Sequence, residues 1–190
     1  MIMFFPKFYE DELIYSVCAR YYVKSGYQSY IYAAEDLFKK KTDRPDLEFI
    51  NSFNDEILDV IKQNYDVKEV IENHTMFPYY GRFVNGERKQ KAFQCLCNME
   101  GGYHNLLPMR IRKDGNKRYM RYCPLCVKED REKYGETYWH RLHQMIGLYI
   151  CPLHSCYLEN SKIPIASKES PRLYCAELEI PDEVESKLSD

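Results

Sequence analysis

The 190-residue chain is long enough for one domain or two small ones, and its 45% hydrophobic content can bury a core, which excludes disorder along its whole length. Its net charge of −2 conceals an asymmetry: residues 88–121 carry nine basic side chains against Glu100 and Asp114, whereas residues 169–190 carry seven acidic against two basic, so a phosphate-attracting middle precedes an acidic end. No stretch approaches the roughly 20 apolar residues of a membrane span, and the apolar start lacks a basic n-region, so the eight cysteines are expected in a reducing cytoplasm as metal ligands or buried thiols.

Residues 10–25 read as a helix, with Leu13, Ile14, Val17, Cys18 and Tyr21 at helical spacing and Gly26 as the stop. Ser29 is placed to cap a second helix ending near Phe38, and a polar loop follows over 39–45. Asn54 suits the cap of a third helix carrying Ile57, Leu58 and Ile61. Asp66 with Glu69 forms a capping pair for a fourth, which uses Val67, Val70 and Ile71. After Asn85-Gly86, residues 87–99 read as a fifth. Residues 1–100 are thus expected to be a helical N-terminal region of short helices, compatible with a helix-turn-helix-like arrangement as with any small bundle. Gly101-Gly102 breaks the pattern and opens a second region, 101–165, which contains a helix over 127–134 closed by Gly135. Little periodicity is visible after Pro152. The acidic residues 166–190 are expected to be a poorly ordered tail or the start of a further domain.

The chemistry lies in two segments, Cys123-Pro124-Leu125-Cys126 and Cys151-Pro152-Leu153-His154. Each sets two soft ligands two residues apart, so that one tight turn can aim both at a single ion. Zinc favours four tetrahedral sulfur and nitrogen ligands, and a full protein shell makes a structural site with no open position. The expected cofactor is therefore a structural Zn2+ held by Cys123, Cys126, Cys151 and His154. The fold class is mainly α with a small zinc-finger module. A thioredoxin-like redox dithiol would leave the matched Cys151/His154 pair unexplained, and no βαβ pattern surrounds Cys123. His140 and His143 can complete a metal site or serve as acid/base groups, but packing or hydrogen bonding beside the module is the plainer reading. Cys95, Cys97, Cys156 and Cys175 lack a second pair at ligand spacing, so a second zinc using Cys156 and Cys175 would want two clear ligands, and Cys18 reads as core.

Enzymatic alternatives find little footing. The His-x-Glu of zinc deaminases, the His-Glu-x-x-His of zincins and the phosphate-binding Gly-x-x-x-x-Gly-Lys loop are all missing from the sequence. A zinc-stabilised nuclease using His140 or His143 as base has no matching carboxylate cluster.

These residues resemble the TniQ family, in its TnsD type. The resemblance runs through Phe5-Pro6, Tyr9-Glu10-Asp11-Glu12-Leu13-Ile14-Tyr15-Ser16, Ala19-Arg20 and His74-Thr75-Met76-Phe77-Pro78-Tyr79-Tyr80. It is most specific from Tyr122 to His154, through Asp130, Tyr134-Gly135-Glu136, Tyr138-Trp139-His140-Arg141 and His143-Gln144. It implies a non-catalytic adaptor for transposon target-site selection in the bacterial cytoplasm, associated with the nucleoid. Such an adaptor binds target DNA, or a target-finding complex, and recruits a TnsC-type AAA+ ATPase that directs the transposase. The resemblance carries the four zinc ligands onto Cys123, Cys126, Cys151 and His154. The basic stretch before the first cysteine pair, with Arg110, Arg112, Lys113, Lys117, Arg118 and Arg121, is the expected phosphate-contacting surface. TnsD-type members extend well beyond the zinc module, so recruitment is expected of this chain more than sequence-specific reading of DNA. The alternative is a pure protein-interaction module whose basic stretch is merely solvated.

Overall fold

A computed structural model describes residues 4–40, 45–49, 53–98, 103–108, 118–165 and 172–187. It is mostly helical with one two-stranded sheet, and it divides into two compact units. The first takes in Met1–Ile111 with Pro171–Leu173; the second takes in Arg112–Ser170 with Tyr174–Asp190. Gly101, Gly102 and residues 41–44 of the expected polar loop lie outside the described residues.

The first unit is built on α1 (Ile14–Lys24), whose residues from Ile14 to Tyr21 are all buried. A helix covered on every side is a central one, so the amphipathic stripe read from the sequence understates its burial. Gly26, at φ 69°, ends the turn that follows. The next three helices start where short side chains dictate. Ser29 accepts the Ile31 N–H ahead of α2 (Tyr30–Leu37), Asn54 that of Ile57 ahead of α3 (Asp55–Asn64), and Asp66 that of Lys68 ahead of α4 (Val67–His74). Two short helices were not anticipated. One is α5 (Phe77–Gly81), whose Pro78 occupies the first turn, and the other is α7 (Tyr103–Leu106). Between them Asn85 caps α6 (Gly86–Cys97).

Inside this unit Glu12 and Arg20 form a buried ion pair, with Arg20 NH1 2.9 Å from Glu12 Oε2. The same oxygen accepts the Tyr9 N–H at 3.0 Å, and the guanidinium stacks 3.8 Å over the Tyr9 ring while also donating to Lys7 O. His74 Nδ1 meets Glu12 O at 2.6 Å. Glu12 Oε1 is buried without a hydrogen-bond partner among the described residues. Burial pushes the Glu12 carboxyl up to about 7, against the opposing pull of Arg20. The N-terminal residues that carry the family resemblance thus meet around one buried carboxylate.

The second unit opens with β1 (Tyr119–Tyr122), which pairs antiparallel with β2 (Glu159–Pro164), Arg121 opposite Asn160 and Tyr122 opposite Glu159. Between the strands lie α8 (Pro124–Tyr134), closed by Gly135, and a short 3-10 turn, Leu142–Gln144. Gly135 stands at φ 76°, a left-handed conformation that L side chains resist. A Cβ there would touch nothing within 4 Å, so Gly135→Ala isolates backbone strain. We expect a loss of about 1 kcal/mol, read as a lower midpoint with unchanged slope in urea unfolding.

The acidic stretch is ordered over the described residues 172–187. It forms α9 (Ala176–Glu179) and buries Ile180 and Val184. Arg131 of α8 holds it: Nε donates to both Glu177 oxygens at 3.1 Å, NH1 to the carbonyls of Pro181 and Asp182, and NH2 to that of Ile180. Glu177 also accepts the Thr137 N–H at 2.8 Å. A run of acids that looks solvated in the sequence is here tethered by one arginine.

Candidate metal centre

β1 delivers Cys123 to the mouth of α8. Cys123 is the N-cap, with Pro124 pre-set for the first turn, and its sulfur accepts the Cys126 N–H at 3.4 Å. The helix therefore begins three residues earlier than its periodicity suggests, because the cysteine turn is itself the helix start. The second turn is different in kind. Cys151 N–H donates to Cys156 O at 2.8 Å, Ser155 N–H to Cys151 O at 2.9 Å, and Leu158 N–H to Tyr149 O at 2.8 Å. Ile150 and Tyr157 bridge across it. A hairpin loop results, and Ser155 relieves its tight bend at φ 50°.

These two turns bring four ligand atoms together. The sulfurs of Cys123, Cys126 and Cys151 and one nitrogen of His154 all lie within 4.8 Å of one another, with the three cysteines buried. The fit to an ion can be tested on the edges of the tetrahedron. Bonds of about 2.3 Å to sulfur and 2.0–2.1 Å to nitrogen imply edges of about 3.8 Å between sulfurs and 3.6 Å from sulfur to nitrogen. The Cys126–Cys151 edge is 3.7 Å. His154 Nδ1 stands 3.5, 3.3 and 3.7 Å from the sulfurs of Cys123, Cys126 and Cys151. The cluster can therefore hold a metal ion. Among the described residues it is the one group of three or more such side chains so arranged.

The electrostatics favour a cation. Hydrogen bonding from the Cys126 thiol, with a smaller contribution from the Cys126 N–H, draws the Cys123 thiol down to about 4, despite burial. Hydrogen bonding to Cys123 pushes Cys126 up, and burial pushes Cys151 up. His154 Nε2 lies 2.9 Å from Glu129 Oε1, on α8. Burial lowers His154, but the hydrogen bonds to Glu129 and Cys123 outweigh it. With its Nε2–H donated to Glu129, the imidazole turns the Nδ1 lone pair toward the sulfurs, the usual way a carboxylate orients a ligating histidine.

The remaining signature residues hold the turns in place. Asp130 Oδ2 accepts from Thr137 Oγ1 and lies 2.9 Å from His140 Nε2. Trp139, fully buried, donates its Nε1–H to Tyr174 O. Gln144 reads the backbone of β1 reciprocally: its Oε1 accepts the Arg121 N–H at 2.9 Å and its Nε2 donates to Arg121 O at 2.8 Å. His140 is thus hydrogen-bonded beside the module, and His143 is packed against the sulfurs.

Of the basic stretch, Arg110, Arg112, Lys113 and Lys117 lie outside the described residues. Arg118 donates to Gln144 O, and Arg121 to the carbonyls of Met145 and Leu148. Cys156 enters the sequence reading only as a partner of Cys175 in a second zinc site that would lack two ligands. It lies inside the cysteine cluster, 3.2 Å from Cys123 Sγ. Its place comes from the hairpin that pairs it with Cys151, a signal the Cys-Pro-Leu-His spacing does not contain.

Among known proteins, the family model described as TniQ matches residues 3–158. The Escherichia coli protein named transposon Tn7 transposition protein TnsD is 31% identical over 157 residues, which cover 79% of this chain and 30% of that protein. The chain thus spans less than a third of that relative's length.

Proposed function

This chain belongs to the TniQ family, and from that membership we propose that it acts as a non-catalytic adaptor in transposon target-site selection. It engages target DNA or a target-finding complex and recruits a TnsC-type AAA+ ATPase, which directs the transposase. Its working place is the bacterial cytoplasm, at the nucleoid; among the described residues no helix is long and apolar enough to cross a membrane. The observation that carries this reading is the match to the TniQ family over residues 3–158, a span that includes the whole Cys3His cluster.

In this reading the ion is a structural Zn2+. Three sulfurs and one nitrogen are a donor set zinc prefers, and four protein ligands leave no position for a reacting water. By joining a helix start to a hairpin, the ion fixes two otherwise separate turns as one surface. That hairpin presents Tyr149 and Leu153, exposed to 69% and 72%. Two exposed apolar side chains on one hairpin support contact with a protein, and the ATPase is the partner the family reading supplies. The DNA-facing part is assigned to Arg110, Arg112, Lys113 and Lys117. Arg118 and Arg121, whose donors serve carbonyls, add positive charge there.

Co-purification with the ATPase, with and without duplex DNA, tests the proposal. Binding to the ATPase is expected, and so is DNA binding that weakens steeply with salt. Charge reversal across Arg110, Arg112, Lys113 and Lys117 is expected to flatten the salt dependence by about 0.9 per lost phosphate contact. ATPase binding without any DNA binding at low salt would favour the pure protein-interaction module. The nuclease alternative requires cleavage that His143→Ala abolishes. His143 is almost fully buried and its Nε2 faces the cysteine sulfurs, so it is not placed to serve as a base on a substrate.

A further inference from the structure

Two neighbours of the four ligands have no role in that account. His143 Nε2 lies 3.6 Å from Cys126 Sγ and 3.8 Å from Cys151 Sγ, straddling one edge of the tetrahedron. Its Nδ1 is buried with no hydrogen-bond partner among the described residues. On the other side, the fully buried Cys156 sets its sulfur 3.2 Å from that of Cys123. Neither side chain belongs to the converging set.

We infer that His143 and Cys156 are outer-shell donors to the metal-bound sulfurs, His143 through Nε2–H to Cys126 and Cys151, and Cys156 through its S–H to Cys123. The inference rests on the reading that the four ligands hold a metal ion.

Three observations support it. The orphaned Nδ1 fixes the tautomer of His143. A proton there would be a buried donor with nothing to receive it, so the proton belongs on Nε2, aimed at the sulfurs. The two histidines then play opposite parts: His154 offers the cluster a lone pair, and His143 offers it a proton. Second, the 3.2 Å gap between Cys156 and Cys123 is shorter than the roughly 3.8 Å that separates two sulfurs on one ion, so Cys156 is a neighbour of a ligand and not a rival for its place. Third, the charge calls for donors. Three thiolates and a neutral imidazole around a divalent ion leave one net negative charge in a buried site, and N–H and S–H donors spread it over the shell.

The effect should appear in how tightly the centre holds its ion. The test uses the zinc-loaded full chain, with zinc content measured first and affinity then read by competition with a chromogenic chelator. His143→Phe keeps a ring of similar bulk and removes the donor; His143→Gln restores an N–H at the same reach. Cys156→Ala and Cys156→Ser form the matching pair. We expect His143→Phe and Cys156→Ala each to weaken zinc binding by about 10- to 100-fold, and the Gln and Ser variants to recover most of it. Cobalt substitution supplies an independent readout. The sulfur-to-metal charge-transfer intensity per ion should match wild type in all four variants, because three thiolates remain bound. Unchanged zinc affinity in His143→Phe and Cys156→Ala would overturn the inference while leaving the metal centre standing. Loss of charge-transfer intensity in Cys156→Ala, or of the tetrahedral cobalt spectrum in His143→Phe, would make that residue a ligand and overturn the inference too. A wild-type chain that binds neither ion would overturn both it and the reading beneath it.

Discussion

Stripping the ion, or replacing Cys126 with serine, is expected to abolish the cooperative unfolding transition of the second unit. The magnitudes decide this. A structural zinc site supplies an apparent 10–16 kcal/mol, whereas a whole domain is stable by only about 5–15 kcal/mol. Among the described residues the second unit has one two-stranded ladder, β1 with β2, and a single helix longer than two turns, α8, beside the turns it joins. The cysteines themselves form one of its buried clusters, with Leu125 and Leu158 packed against them. Without the ion, three buried thiols and a histidine face one another with no cation, and nothing replaces that free energy. The check is thermal unfolding followed by near-ultraviolet dichroism, to which Trp139 and its neighbouring tyrosines report. Chelator-treated protein and Cys126→Ser should lose this signal while retaining helical dichroism from the first unit. A chelated protein with unchanged near-ultraviolet dichroism and midpoint would refute the expectation.

The second large effect concerns the buried pair in the first unit. Arg20→Met removes the one cation that offsets burial of Glu12, and breaking a buried pair in this way costs about 3–5 kcal/mol. The pH dependence has a definite sign. Glu12 in the folded chain sits at about 7, above its ordinary 4.5. A raised acid binds its proton more tightly in the folded state, so its contribution is fully present below about 4.5 and is lost as pH rises through about 7. Wild-type stability should therefore fall by roughly 3 kcal/mol between these pH values from this group alone. In Arg20→Met the opposing pull of the guanidinium is gone and the fall should extend to higher pH, so the variant's deficit is greatest near pH 8 and smallest near pH 5. Chemical denaturation across pH 5–8 measures both. A deficit that does not change with pH would show that Glu12 is not the group left uncompensated. Pairing Arg20→Met with Glu12→Leu should recover much of the loss, because no buried charge then remains.

What the sequence made legible was mostly local chemistry. Ser29, Asn54 and Asp66 cap helices through side-chain contacts two or three residues away, and such contacts can be read from a short window; Asn85, read only as a turn residue, caps α6 in the same way. The same holds for the four ligands, whose paired spacing is a property of each turn alone. Features that depend on distant residues stayed hidden. The ladder between β1 and β2 joins residues about forty apart in the chain and shows no alternating pattern. Helices α5 and α7 are too short to display a period. Arg131 holds Glu177 and the carbonyls beyond it across more than forty residues, so the C-terminal acids resembled a solvated tail. Glu12 and Arg20 were conspicuous as motif residues, but their separation of eight gave no hint of an ion pair. Cys156 reached the cluster only through the hairpin.

X-ray absorption at the zinc edge of the purified chain tests the central claim most directly. One zinc per chain is expected, with three sulfurs at about 2.3 Å and one nitrogen at 2.0–2.1 Å. Four sulfurs, two nitrogens, an oxygen in the shell, or no bound zinc would contradict the convergence of Cys123, Cys126, Cys151 and His154 on one ion.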